Sequence, residues 1–141
     1  MSLIQEKDRL AIQERLNEMK HPVKIINFSQ EFECQYCRET RQLMEELNAM
    51  TDKISLEVYD LVKDKAIAEK YKVEKIPATV LIGEKDYGIR YFGIPAGYEF
   101  ATLLDDILMV SHRESGLEQN SKEKLALLKE PLHLQVFVTP T

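Results

Sequence analysis

One stretch of the chain leaves little choice of architecture. Residues 23–29 (VKIINFS) carry Ile25, Ile26 and Phe28, the β-branched and aromatic bulk of a short strand. A helical pattern follows, running from Cys34 to Met50 with Leu43, Met44, Leu47 and Met50 on one face. The alternation then recurs. Residues 54–60 (ISLEVYD) alternate Ile54, Leu56 and Val58 with polar residues, and 63–71 read as a short helix carrying Ala66, Ile67 and Ala68. Strand, helix and strand in that order predict two parallel strands joined by a right-handed crossover. Ile76-Pro77 then precedes a buried apolar strand over 78–83, and Glu84, Lys85 and Asp86 turn it into an antiparallel partner over 87–93. Residues 98–110 form the clearest helix, with Phe100, Leu103, Leu104, Ile107 and Leu108 at i, i+3, i+4, i+7 and i+8. The fold class is α/β, a mixed sheet flanked by helices.

Both ends extend this frame. Residues 3–19 place Leu10, Ile12, Leu16 and Met19 at helical spacing among charges, and His21-Pro22 stops that helix. Residues 112–120 are polar and contain Gly116, as a linker does. A short helix is predicted over 121–130, capped by Ser121 and ended by Pro131. Residues 133–138 (HLQVFV) read as one more strand, which must pair or remain a sticky edge. The expected organisation is a domain over 1–115, then a linker, short helix and orphan strand over 116–141.

Composition narrows the function classes. The 141 residues suit one domain, and 44% hydrophobic content can fill a core. The 19 Lys and Arg against 24 Asp and Glu give a net charge of −5, so no basic surface points to nucleic acid. No run of apolar residues is long enough for a membrane span. The first 20 residues are dense in charge, with no apolar centre and no small-residue cleavage site, so a cytoplasmic location is expected. Thiols are kept reduced there, and a cysteine pair tends to be catalytic or metal-binding.

Both cysteines sit in one motif, Cys34-Gln35-Tyr36-Cys37, between the first strand and the first crossover helix. Two intervening residues bring the sulfurs within reach of each other. Cys34 stands at or before the helix N-terminus, where unpaired N–H groups and the helix dipole favour a thiolate. Arg38 and Arg41 add positive charge, which Glu31 and Glu33 oppose. Cys37 lies further in and is expected to be more buried. That division predicts an attacking Cys34 and a resolving Cys37. Three other readings stand beside the redox dithiol: a structural disulfide, a zinc site and two inert cysteines. A zinc site needs four ligands, and His21, His112 and His133 supply no paired spacing. Pro77 reads either as an ordinary trans proline at a strand start or as a cis proline beside the sulfurs. In the second case the Ile76 backbone is exposed for pairing with a substrate chain. Tyr36 could stack on a bound peptide or simply cover the sulfurs.

Together these residues resemble the thioredoxin/glutaredoxin superfamily: CxxC after the first strand and Ile76-Pro77-Ala78 before the third. More closely, the chain is similar to the first unit of the glutaredoxin-like protein disulfide oxidoreductases of thermophilic archaea and bacteria, which have two thioredoxin units. His21-Pro22-Val23-Lys24, Lys70-Tyr71, Arg90-Tyr91-Phe92-Gly93, Pro95-Ala96-Gly97 and Val136 to Thr141 carry that likeness, which spans the whole chain. The resemblance implies a thioredoxin-like fold, Cys34 as nucleophile, Cys37 as resolving thiol and Pro77 as the cis proline. It implies disulfide exchange with protein substrates, with no bound cofactor and with reducing equivalents from a thioredoxin-reductase-like flavoprotein. In that family the segment ending in Thr141 opens a second unit with its own CxxC, which this sequence does not contain. The terminal strand is therefore expected to dock on the first unit's edge or to pair across a dimer. Two other function classes remain beside the enzyme: a binding or adaptor module with incidental redox, and a metal-binding CxxC module.

Overall fold

The computed structural model describes residues 1–139. In chain order its elements are α1 (Glu6–Leu16), β1 (Val23–Ser29), α2 (Cys37–Asn48), β2 (Ile54–Asp60), α3 (Lys65–Lys70), β3 (Ala78–Ile82), β4 (Asp86–Phe92), α4 (Tyr98–His112) and α5 (Gln119–Ala126). The sheet has the order β2-β1-β3-β4. β1 and β2 are parallel, Val23 facing Ile54 through to Ser29 facing Asp60. β1 and β3 are antiparallel, as are β3 and β4. The parallel pair and the hairpin both match the expectation.

Side chains alternate across the strands and split the core into two layers. Val23, Ile25 and Leu81 face one way and pack with Leu16, Met44, Leu47, Leu103 and Ile107 from α1, α2 and α4. Ile26, Phe28, Ala78 and Val80 face the other way, with Ala68 of α3 and Val73. The Phe28 ring lies 5.9 Å from that of Tyr59 and 6.4 Å from that of Tyr71, centroid to centroid. Each fully buried aliphatic or aromatic side chain contributes about 1.5–3 kcal/mol.

Two polar ties close the fold. Ser111 Oγ accepts from the amides of Lys20 (2.9 Å) and His21 (3.0 Å) and donates to the His21 carbonyl (2.7 Å), fastening the end of α4 to the start of β1. The Glu46 carboxylate of α2 accepts from Ser2 Oγ (2.7 Å), Leu3 N (2.8 Å), Ile4 N (3.0 Å) and Gln42 Nε2 (3.0 Å). It thereby straps the residues preceding α1 across α2.

Three expectations are corrected. The helix expected from Cys34 begins at Cys37, because Tyr36 occupies the N-cap position with φ −121° and ψ 12°. The short helix expected over 121–130 runs from Gln119 to Ala126, with Glu118 at its N-cap and Ser121 inside it. The strand expected over 133–138 is not formed: the described residues from 131 onward have no regular structure, and Leu134, Val136, Phe137 and Val138 are all exposed. Alternation and β-propensity are present there, but a strand also needs a neighbour for its backbone groups. Neither sheet edge, β2 or β4, takes it up. Within this chain the segment therefore does not dock on a sheet edge. Pro140 and Thr141 lie outside the described residues.

Candidate functional site

The carboxyl ends of β1 and β2 open on the same side of the molecule, where active residues of open α/β sheets lie. The loop after β1 delivers Cys34 there, and Cys37 opens α2. The two sulfurs form a disulfide, with the Cα atoms 5.5 Å apart. Cys34 is half-buried and Cys37 only 1% exposed. α2 has no side-chain N-cap, so its first amides keep their donor capacity for an anion before the helix.

Glu33, directly before Cys34, holds φ at 57°, the left-handed region that glycine or asparagine usually occupies. Nothing in a Glu announces that conformation. Arg38 is exposed beside the pair, whereas Arg41 is engaged by Glu45 at 2.8 Å. Arg41 therefore adds less net charge to the sulfurs than its position suggests. Tyr36 is 46% exposed, and its hydroxyl accepts from Gln35 Nε2 at 3.3 Å.

A cleft of about 490 Å3 opens beside Cys34, lined also by Ser29, Arg38, Tyr59, Asp60 and Lys63. Asp60 and Lys63 were not singled out from sequence, although the end of a parallel strand is a place to look. The Lys63 and Val62 amides donate to Asp60 Oδ1 at 2.8 and 2.9 Å, and they hold its carboxyl below the usual range. Asp60 is thus an ionised turn-former at the rim. No group of three or more His, Cys, Asp or Glu is placed to hold a metal among the described residues.

Register brings the proline to the same end. Phe28 faces Ala78, so Pro77 falls opposite Ser29. The Ile76-Pro77 peptide is cis. Pro77 is buried, and its carbonyl accepts from Gly93 N at 2.9 Å, joining the loop after β4 to the site. The Ile76 side chain is half-buried against the Phe28 layer, and its backbone makes no hydrogen bond among the described residues. Cys34, Cys37, Ile76 and Pro77 therefore share one end of the sheet, with the exposed Tyr36 between the two cysteines in sequence.

A thioredoxin-domain family model matches residues 22–105. The chain belongs to that family. A protein disulfide oxidoreductase from Aeropyrum pernix superposes with a TM-score of 0.79 at 33% identity, over 89% of this chain and 55% of that one. The NTD_N/C domain of alkylhydroperoxide reductase AhpF from Enterococcus faecalis gives 0.77 at 26% identity, over 89% and 62%. A curated protein named NADH dehydrogenase from Ferdinandcohnia aciditolerans is 31% identical over 110 residues, 70% of this chain and 21% of that protein. The chain thus spans about a fifth of this curated relative and about half of the archaeal oxidoreductase. The thioredoxin-like fold matches the sequence reading. The α1 helix lies outside the family match yet supplies Ile12 and Leu16 to the core.

Proposed function

We propose that this thioredoxin-family chain is a thiol–disulfide oxidoreductase acting on protein substrates through Cys34 and Cys37. The observation that carries the reading is the disulfide at the strand end, with Cys34 half-buried and Cys37 buried. In the reducing direction the Cys34 thiolate attacks a substrate disulfide and one substrate thiolate leaves. Cys37 then attacks the Cys34 sulfur and expels the second. Two electrons pass to the substrate, and the Cys34–Cys37 bond re-forms. The unpaired backbone of Ile76, held by Pro77, offers the substrate segment a strand-like partner, and Tyr36 covers its side. A reductase, a flavoprotein by the family resemblance, recharges the dithiol. The partial matches to proteins named as a reductase and an NADH dehydrogenase support that source.

The test is a redox titration with alkylation and intact mass, together with two variants. A reversible two-electron couple within about −270 to −120 mV is expected. Cys34→Ser abolishes turnover, and Cys37→Ser accumulates the mixed disulfide as a mass adduct. A couple below about −300 mV would make the disulfide structural, and a Cys37→Ser variant that traps nothing would overturn the assignment of roles.

A further inference from the structure

The sheet face under α2 is apolar along most of its length and polar in one row. Val23 and Ile25 are fully buried there in one cluster with Met44 and Leu47. One step toward the Cys34 end, register aligns Val58, Asn27, Thr79 and Tyr91 across the four strands. Asn27 and Thr79 are both 0% exposed. Asn27 Nδ2 donates to the Ala78 carbonyl at 3.1 Å, but Asn27 Oδ1 has no partner, and neither has Thr79 Oγ1. Two neighbouring orphans in a sealed layer call for an explanation.

α2 supplies one. It runs back along β1, so its later turns, with Met44 and Leu47, pack with Val23, Ile25 and Ile54. Its first turn therefore lies over the Asn27–Thr79 row. The hydroxyls of Thr40 and Tyr91 nearby are already engaged. Thr40 Oγ1 donates to the Tyr36 carbonyl at 2.7 Å, and the Tyr91 hydroxyl donates to Asp106 Oδ2 at 2.5 Å. Two groups remain in that turn: Glu39, whose Oε2 is a third buried acceptor without a partner, and Cys37, whose sulfur carries no proton while bonded to Cys34.

We infer that Asn27 and Thr79 form the seat of the reduced Cys37 thiol. The inference rests on the thiol–disulfide exchange proposed above. Reduction by a dithiol breaks the Cys34–Cys37 bond: the reductant loses two electrons and two protons and becomes a disulfide. One proton stays on the Cys37 sulfur, and the other goes to Cys34 or to solvent. The Cys37 S–H then donates to Asn27 Oδ1, and its sulfur accepts from the Thr79 hydroxyl. The two oxygens are orphaned in the disulfide and satisfied in the dithiol, so the pair favours the reduced protein. Asn27 and Thr79 are positioning residues that act through Cys37.

The experiment equilibrates the full chain and its Thr79→Val and Thr79→Ser variants with dithiothreitol redox buffers and counts thiols by alkylation. Thr79→Val is expected to shift the equilibrium toward the disulfide by roughly 2- to 10-fold, the range of one ordinary hydrogen bond. Thr79→Ser keeps the hydroxyl and stays at the wild-type position. Urea melts of the oxidised proteins supply the control: Thr79→Val loses an orphan and is at least as stable as wild type. Equal equilibria for wild type and Thr79→Val would overturn the inference, as would equal shifts in both variants or a destabilised oxidised Thr79→Val. A wild-type protein with no reversible couple would instead defeat the proposed function, and the inference would fall with it.

Discussion

Replacing Glu46 with glutamine separates the charge on the strap from its shape. The carboxylate is 14% exposed and accepts four hydrogen bonds, three of them from residues 2–4. Burial pulls its pKa up, but the Ser2 hydroxyl, the Leu3 and Ile4 amides and the Gln42 side chain pull harder, and the result is about 2 against an ordinary 4.5. At 1.36 kcal/mol per pH unit, that gap of about 2.5 units corresponds to about 3 kcal/mol. The folded-state pKa is depressed, so the stabilisation is complete above the unfolded value of 4.5 and is lost as pH falls through 2. Urea melts of wild type and Glu46→Gln at pH 7 should therefore differ by about 2–3 kcal/mol, and the difference should shrink steadily below pH 4.5. Comparing the two proteins cancels the other depressed carboxyls, Asp60 and Asp86 among them. Amide exchange at Leu3 and Ile4 reads the same event locally. A wild-type-minus-variant difference that stayed constant from pH 7 to pH 3 would refute the reasoning, because the carboxylate's charge would then hold nothing.

Three further outcomes are expected. Arg90 donates to the Tyr71 carbonyl through Nε (3.1 Å) and Nη2 (3.0 Å) and grips Asp86 with both terminal nitrogens, so Arg90→Met should cost about 1–3 kcal/mol in a denaturant melt. A branched residue at the φ of 57° before Cys34 is strained, so Glu33→Val should lose about 1–2 kcal/mol relative to Glu33→Gly; identical melting curves would contradict that. Gly97, with φ 62° and ψ −131°, has open space around an added Cβ, so Gly97→Ala isolates backbone strain and should cost about 1–3 kcal/mol with no change in core packing by NMR.

The regular elements were legible wherever burial on one side imposes a period. β1 and β2 fall at the expected residues because a strand packed against helices must alternate. α4 was plain because its apolar stripe is wide. The segment 133–138 shows the limit of pattern: its residues suit a strand, yet pairing is a property of a neighbour and not of the segment. The CxxC and Ile76-Pro77 were visible as motifs, and their convergence at one sheet end follows from strand order, which the hairpin implied. Glu33 was not legible, because a glutamate gives no sign of a positive φ. Glu46 was hidden for another reason, since three of its four donors lie some forty residues away and two of those are backbone amides, which carry no side-chain signature. Asn27 did leave a trace. It shares parity with Val23 and Ile25, so a polar residue stands where the period demands an apolar one.

The three hydrogen bonds at Ser111 bear on how the chain could be rewired. They bring position 111 within bonding distance of positions 20 and 21, although 90 residues of chain separate them. The stretch between those points, which holds the whole sheet and the disulfide, thus begins and ends at nearly the same place. A short linker could join those two points and a new opening be cut in an exposed turn, such as that at Glu84 and Lys85, with α1, which packs Ile12 and Leu16 into the core, supplied as a separate segment. The order in which the ribosome delivers β1 through α4 is therefore separable from the arrangement they reach, and a circularly permuted chain could keep Cys34 and Cys37 where they stand.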